Sequence, residues 1–234
     1  MKARAVLIIP AFNESASIER VLQGIAEAQT GCEIVVIDDG SSDGTSEKAA
    51  AEGAKVIRHP FNLGYGAALQ TGYKYALSRG ASFLVQMDAD GQHDPREVEK
   101  LLAPIEAGEF DLVVGSRFLE PTEYKMEPIR NVGRWLFRSL VRLAGLKVSD
   151  PTSGFQAMNL RALEDYVDDF FPTDYPDVDV LLTAYRHGLR VGECSVHMLK
   201  ATRESTLHGG VRSIYYVYKM LLSTLSASAE KRKS

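Results

Sequence analysis

Cysteine is scarce in this chain, with two in 234 residues, and tryptophan occurs once. Cys32 and Cys194 lie far apart in apolar, strand-like runs, where an unpaired thiol behaves as a small hydrophobe. No disulfide framework is expected, and a reducing compartment follows. Positive charge is not in excess: 27 Lys plus Arg stand against 31 Asp plus Glu, for a net charge of −4. That balance argues against a surface built for nucleic acid, which usually carries a strong basic excess. No run approaches the ~18 consecutive apolar residues of a bilayer span. The apolar stretch after Met1-Lys2-Ala3-Arg4 is too short for a signal sequence and reads as a first strand. What remains is ordinary globular composition, 45% hydrophobic and 25% charged, able to bury a real core.

Short β-rich runs alternate with helix-length amphipathic segments. The runs are Val6 to Ile9, Glu33 to Ile37, Lys55 to Arg58, Phe83 to Met87 and Asp111 to Val114. Between them lie Ile18 to Ala28, Ser46 to Glu52, Ala67 to Ser78 and Pro95 to Ala107. This alternation predicts an α/β fold of βαβ units around a mostly parallel sheet flanked by helices, with ligands beyond the carboxyl ends of the strands. After Arg117 the pattern changes. An acidic, proline-bearing loop from Glu120 to Glu127 precedes a helix over Ile129 to Leu146, a turn at Asp150-Pro151-Thr152-Ser153-Gly154-Phe155 and a further strand. A helix over Val178 to His187, a strand over Leu189 to Met198 and an amphipathic helix over Val211 to Leu225 complete a single domain, 1–225. The tail 226–234 reads as disordered.

The polar motifs sit at strand ends. Met87-Asp88-Ala89-Asp90-Gly91-Gln92-His93-Asp94 follows an apolar run. Carboxylates two apart at an irregular strand end can both turn toward a diphosphate and its divalent cation, for which oxygen ligands are preferred. The plainer reading is an acidic turn, with Asp94 capping the helix that starts near Pro95. Asp38-Asp39-Gly40-Ser41-Ser42-Asp43 ends another run, and here a tight turn with a Ser42 or Asp43 helix cap leaves two adjacent, mutually repelling carboxylates unexplained. Asn13-Glu14-Ser15 matches a glycosylation sequon by chance, and Gly64-Tyr65-Gly66 lacks the third glycine of a dinucleotide fingerprint.

Six elements occur in order: Pro10-Ala11-Phe12-Asn13-Glu14, Asp38-Asp39-Gly40-Ser41, Asn62-Leu63-Gly64-Tyr65-Gly66-Ala67, Asp88-Ala89-Asp90-Gly91-Gln92, Gly115-Ser116-Arg117 and Asp150-Pro151-Thr152-Ser153-Gly154-Phe155. Together they resemble glycosyltransferase family 2, most closely its polyprenyl-phosphate (dolichol-phosphate) mannose and glucose synthase branch. The resemblance implies a GT-A fold and an inverting transfer of sugar from a nucleotide-diphosphate donor, GDP- or UDP-linked, with Mg²⁺ or Mn²⁺. It implies that Pro10, Phe12 and Glu14 line the nucleoside pocket with Ile37 and Asp39. Asp88, Ala89, Asp90 and Gln92 would hold the diphosphate, with Asp88, Asp90 and Gln92 as metal ligands. Arg117 would add a fixed cation near the phosphates or acceptor; its alternative is a strand-end salt bridge.

Tyr65 stands where a basic residue is common in the family, a departure that bears on one phosphate contact. Lys200-Ala201-Thr202-Arg203-Glu204-Ser205 resembles a degenerate form of the late basic and serine motif that closes over the donor, which implies a place for Arg203 at the diphosphate; its alternative is a solvated arginine in a mobile loop. His208 beyond it is a ligand, a diphosphate partner or an exposed histidine. Asp177 falls where many members carry an acidic pair that includes the catalytic base. A phosphate acceptor needs no base and a hydroxyl acceptor does, so Asp177 is either a base or the cap of the following helix. Arg130, Arg134, Arg138 and Arg142 recur every four residues without an intervening acid, a basic amphipathic face suited to an anionic membrane surface or to plain solvation. The leading expectation is a cytoplasmic transferase, peripheral at the inner face of the membrane, acting on a lipid-linked, polyprenyl-phosphate-type acceptor. A soluble transferase using Asp177 on a hydroxyl acceptor, and a non-catalytic nucleotide-sugar-binding subunit of a membrane complex, are the competing readings.

Overall fold

The computed structural model describes residues 5–119, 128–167, 171–172, 176 and 178–199, with the side chains of 128–134 outside that description. The strands are β1 (Ala5–Ala11), β2 (Glu33–Asp38), β3 (Lys55–Arg58), β4 (Phe83–Gln86), β5 (Leu112–Ser116), β6 (Gln156–Asn159) and β7 (Val191–Ser195). The helices are α1 (Ile18–Ala28), α2 (Thr45–Ala51), α3 (Tyr65–Ser78), α4 (Val98–Glu106), α5 (Pro128–Leu143), α6 (Leu160–Tyr166) and α7 (Val178–Arg186).

The strands form one sheet in the order β3-β2-β1-β4-β6-β5-β7. All pairings are parallel except those of β6, which runs antiparallel to both β4 and β5. Two apolar layers cover the sheet. Val6, Ile8, Ile37, Leu84 and Val114 face α3, α5, α6 and α7, while Leu7, Ile9, Val36, Val85 and Val113 face α1, α2 and α4. Burial on both faces explains why the strands read as nearly continuous apolar runs rather than alternating ones. α1 shows the complementary pattern, burying Ile18, Val21, Leu22 and Ile25 at helical spacing. Pro10 is tolerated in a central strand because of where it falls. The Ile8 carbonyl accepts from Met87 N (3.1 Å), so the Pro10 nitrogen faces the same side, past the last β4 pair.

Boundaries differ from the expected ones for local reasons. α5 stops at Leu143 rather than Leu146, because Gly145 takes φ +96 and Leu146 N turns back to the Val141 carbonyl (2.9 Å). The short α6 went unrecognised; Asn159 caps it by accepting from Ala162 N (3.1 Å). β7 is shorter than the expected strand over Leu189 to Met198. The helix expected over Val211 to Leu225, the loop 120–127 and the tail 226–234 lie outside the described residues.

At the amino ends of β5 and β7, far from the motif-bearing edge, buried Asp111 gathers the chain. It accepts from Arg190 N (2.8 Å), Nε (3.1 Å) and Nη2 (2.8 Å), from Asn159 Nδ2 (2.9 Å) and from Arg161 Nη1 (3.3 Å). Burial alone would raise this carboxyl, but the Arg190 bonds and Asn159 outweigh it and hold the group far below the usual carboxylate range. A depressed folded-state pKa means stability that is present above the unfolded value of about 3.9 and lost as pH falls toward the folded one. Asp111→Asn should therefore cost ~2–3 kcal/mol at neutral pH, below the value for a fully buried pair because the arginines are half exposed. Urea denaturation at pH 7 and pH 3 checks this, and the deficit should shrink at the lower pH.

Candidate active site

The parallel strands deliver the ends of β1, β2, β4 and β5 to one edge of the sheet, and β6, being reversed, delivers its beginning there. The loop after β1 is laced to the loop after β2. Asn13, at φ +56, donates its N–H to Ser41 Oγ (2.8 Å) and accepts from Ser42 N (3.0 Å); Glu14 N donates to Thr45 Oγ1 (2.9 Å) and Ser15 N to Asp43 Oδ2 (3.0 Å). Asp43 Oδ1 also accepts from Thr45 N (3.2 Å), closing the expected turn at the start of α2. Within this lacing Phe12 is 46% exposed, whereas Pro10 and Ile37 are buried. Glu14 accepts from Ser17 Oγ (2.6 Å).

The adjacent carboxylates Asp38 and Asp39 point to different partners, which relieves their repulsion without a ligand. Asp38 accepts from Ser41 N (2.8 Å) and from the Ser46 hydroxyl, with Arg58 Nε at 3.5 Å. Asp39 meets His59 Nδ1 (2.7 Å) and accepts from Leu63 N (2.8 Å) and Gly64 N (2.9 Å), so it anchors the start of α3. Gly40 between them and Ser41 takes φ +76, and a Cβ there would stand 2.6 Å from the Phe61 carbonyl carbon. Only glycine lets the two backbones approach this closely.

Beyond β4, Asp88 accepts from the Tyr65 hydroxyl at Oδ1 (2.8 Å), with His93 Nε2 3.6 Å from Oδ2. Asp90 accepts from Gln92 N (2.9 Å) and Gln92 Nε2 (2.7 Å). Burial raises both carboxyls above their ordinary value, and for Asp90 the neighbouring Asp88 charge adds to the rise. His93 accepts from Asp88 N at Nδ1 (3.0 Å) and stacks on Phe155 with ring centroids 4.7 Å apart. Burial lowers its pKa to about 4, so it is a neutral ring that shapes the turn. Ala89 turns its methyl into the core. As expected, Asp94 caps the following turn, accepting from Arg96 N (3.0 Å).

Arg117 and Asp150 form a buried, two-pronged ion pair, Nε to Oδ2 at 2.6 Å and Nη2 to Oδ1 at 2.8 Å. The pair ties the end of β5 to the turn before β6, and the Arg117 charge also lowers the Asp88 carboxyl against the larger effect of burial. Gly154 of that turn packs on Asp88, where a Cβ would stand 3.0 Å from Oδ2.

Asp39, Asp88, Asp90, Gln92, Arg117 and the Pro10–Glu14 loop thus share one edge. Asp177, Arg203 and His208 lie outside the described residues. Sequence reasoning missed His59 as the partner of Asp39, His93 as the partner of Asp88 within the same motif, and Asp150 as the partner of Arg117; for His59 and Asp150 the only signal was position at a neighbouring strand end. Among the described residues no cluster of three or more His, Cys, Asp or Glu is placed to hold a metal. The two raised carboxylates still fit a hard divalent cation, which is commonly held by one or two carboxylates together with substrate phosphates. Gln92 here braces Asp90 through Nε2, and its amide oxygen is the atom of the kind a hard cation takes.

A sequence model described as glycosyl transferase family 2 matches residues 6–167. The chain belongs to glycosyltransferase family 2. Among family relatives, an undecaprenyl-phosphate mannosyltransferase of Micrococcus luteus is 31% identical over 220 residues, covering 89% of each chain. A polyprenol monophosphomannose synthase of Mycolicibacterium smegmatis is 35% identical over 177 residues, covering 69% of this chain and 63% of that one. A UDP-N-acetylglucosamine–dolichyl-phosphate N-acetylglucosaminyltransferase of Methanococcus voltae is 32% identical over 212 residues, covering 81% and 83%. The Mycobacterium tuberculosis glucosyl-3-phosphoglycerate synthase, solved with Mn²⁺, UDP and glucosyl-3-phosphoglycerate, superposes with a TM-score of 0.73 at 23% identity. It covers all of this chain and 82% of that one. The fold is accordingly GT-A.

Gly40→Ala should lower stability by ~2 kcal/mol or more, from the left-handed backbone cost plus displacement of the Phe61 backbone. Because Phe61 leads into the Leu63 and Gly64 amides held by Asp39, the start of α3 should loosen too. Thermal melts and amide hydrogen exchange at Leu63 and Gly64 read the two effects; an unchanged melting temperature would refute the close-approach argument.

Proposed function

We propose that this chain transfers a sugar, with inversion, from a nucleotide-diphosphate donor to a polyprenyl-phosphate-type acceptor at a membrane surface. The observation that carries the donor half is the Asp88–Asp90 pair, two carboxylates held partly buried and raised beyond β4. The names of the relatives support the acceptor half. When bound, a divalent cation, Mg²⁺ or Mn²⁺, would supply charge neutralisation for the departing diphosphate. Asp88 and Asp90 would hold it with the Gln92 amide oxygen, and Ala89 contributes backbone to that turn. Phe12, Glu14, Pro10, Ile37 and Asp39 belong to the nucleoside side. Arg117 keeps the Asp150–Gly154 turn against the site through its ion pair, and Arg203 would approach the diphosphate from the late basic motif.

In the transfer itself an acceptor phosphate oxygen attacks the anomeric carbon while its bond to the diphosphate breaks, and the nucleoside diphosphate leaves with the electron pair. The attacking phosphate is already anionic, so no side chain need take a proton. Asp177→Asn should then barely change turnover with an isoprenoid phosphate, whereas a hydroxyl acceptor would make it lose ~10² to 10⁴ in rate. Transfer of labelled sugar from GDP- and UDP-sugars to a short polyprenyl phosphate is the test. Asp90→Ala should abolish it, and full activity there or in excess chelator would overturn the metal assignment.

The outward face of α5 supports membrane contact. Trp135 is 67% and Leu143 85% exposed, on the same side as exposed Arg142, while Phe137 and Val141 turn into the core. An aromatic, a basic and an aliphatic side chain on one exposed face suit a lipid headgroup boundary. Among the described residues no helix is long and apolar enough to cross a membrane. With ~1 kcal/mol per basic residue at an anionic surface plus the loss of the indole, Trp135→Ser/Arg142→Gln should weaken partition onto phosphatidylglycerol vesicles on the order of tenfold. Co-sedimentation checks this, and unchanged binding would leave α5 a solvated face.

A further inference from the structure

We propose that Tyr65 is a positioning residue for Asp88, the last link of an oriented hydrogen-bond chain that rises from the core to the metal-bearing carboxylate. The inference rests on the assignment of Asp88 under the proposed function. The chain begins at Tyr73, 1% exposed, whose hydroxyl lies 2.5 Å from Gln86 Oε1. Gln86 Nε2 lies 3.3 Å from the Tyr65 hydroxyl, which lies 2.8 Å from Asp88 Oδ1.

The direction of the chain follows from which atoms can donate. An amide oxygen only accepts, so the Tyr73 hydroxyl donates to it; an amide nitrogen only donates, so the Tyr65 oxygen accepts. The single Tyr65 proton is then left for the Asp88 carboxylate. The opposite amide orientation would turn that proton toward Gln86 and leave the anion facing a lone pair. Burial pushes the Tyr73 phenol well above its usual range, so the chain keeps its first donor.

Two further contacts fix the geometry. Tyr65 opens α3 immediately after Gly64, whose N–H is bound by Asp39 at 2.9 Å, so the ring is carried by a helix start anchored in the β2 loop. From the other side Gly154 closes in: a Cβ there would stand 3.0 Å from Asp88 Oδ2 and 3.3 Å from the Tyr65 hydroxyl. The carboxylate is thus held at Oδ1 by a donor and confined at Oδ2 by backbone. Partners of this kind orient a metal ligand. Where a basic residue would contact phosphate, this chain has a phenol that braces the cation's carboxylate instead.

The test measures Mn²⁺ binding by electron paramagnetic resonance in the presence of UDP or GDP, alongside metal-free binding of the same nucleotides. In Tyr65→Phe the dissociation constant for Mn²⁺ should rise about tenfold or more, the range seen for partners that orient metal ligands, while metal-free nucleotide affinity stays unchanged. Gly154→Ala, which crowds the same carboxylate with the phenol intact, should weaken Mn²⁺ as well and serves as the control that the readout responds to the position of Asp88. Wild-type Mn²⁺ affinity in Tyr65→Phe would overturn the inference. So would an equal loss of metal-free nucleotide binding in Tyr65→Phe, which would mean that the phenol touches the diphosphate directly. If the wild-type protein itself binds no Mn²⁺ with either nucleotide, or Asp90→Ala binds it normally, the assignment of the site falls and takes the inference with it.

Discussion

The site depends on the reversal of β6. Main-chain hydrogen bonds on both sides, to β4 and to β5, hold this four-residue strand antiparallel in an otherwise parallel sheet. Its beginning therefore lies beside the ends of its neighbours, and the turn that precedes it is delivered to the edge where the acidic motifs gather. Arg117 can meet Asp150 and Gly154 can press on Asp88 only because of this reversal. In a parallel β6 the same turn would sit at the opposite edge, roughly the length of a strand away, where a four-residue strand spans ~13 Å.

Carboxylates at the two edges are treated differently. Asp111, at the far edge, is saturated by arginines and an asparagine, and its depressed pKa is the mark of a clamp between strands. At the motif edge, Asp38 and Asp39 are taken up by Arg58 and His59, and Asp150 by Arg117. Asp88 and Asp90 stand apart, since burial raises both despite the donors around them. A pair of oxygen-rich groups whose charges are unfavourable by themselves suits the proposed cation and diphosphate. On that proposal, stability and binding fall to separate acidic residues within one sheet.

Much of this was legible in the residue order. The apolar runs gave β1 to β4 to within two residues; for β1, β2 and β4 this follows because strands buried on both faces need continuous Val, Ile and Leu, while edge strand β3 shows only the Val56-Ile57 pair between exposed Lys55 and Arg58. α1 was legible to its ends through the spacing of Ile18, Val21, Leu22 and Ile25. Asp94 was recognisable as a cap because capping is a contact within two residues. The end of α5 and the whole of α6 were harder: Gly145 and Asn159 act through a single backbone angle and a single hydrogen bond, which leave only a faint trace in composition.

The sequence by itself determined the strand-helix alternation, the family motifs and the placement of acids and glycines at strand ends, since each is a pattern among near neighbours. Tertiary structure alone decided the direction of β6, the commitment of Arg117 to Asp150, of Asp39 to the Leu63 and Gly64 amides, and of Tyr65 to Asp88. Those contacts join residues 23 to 33 positions apart. Local patterning fixes how long an element is and which face it buries; which element lies beside it, and in which direction, is set by pairing across the sheet, where one residue's partner belongs to another segment of the chain.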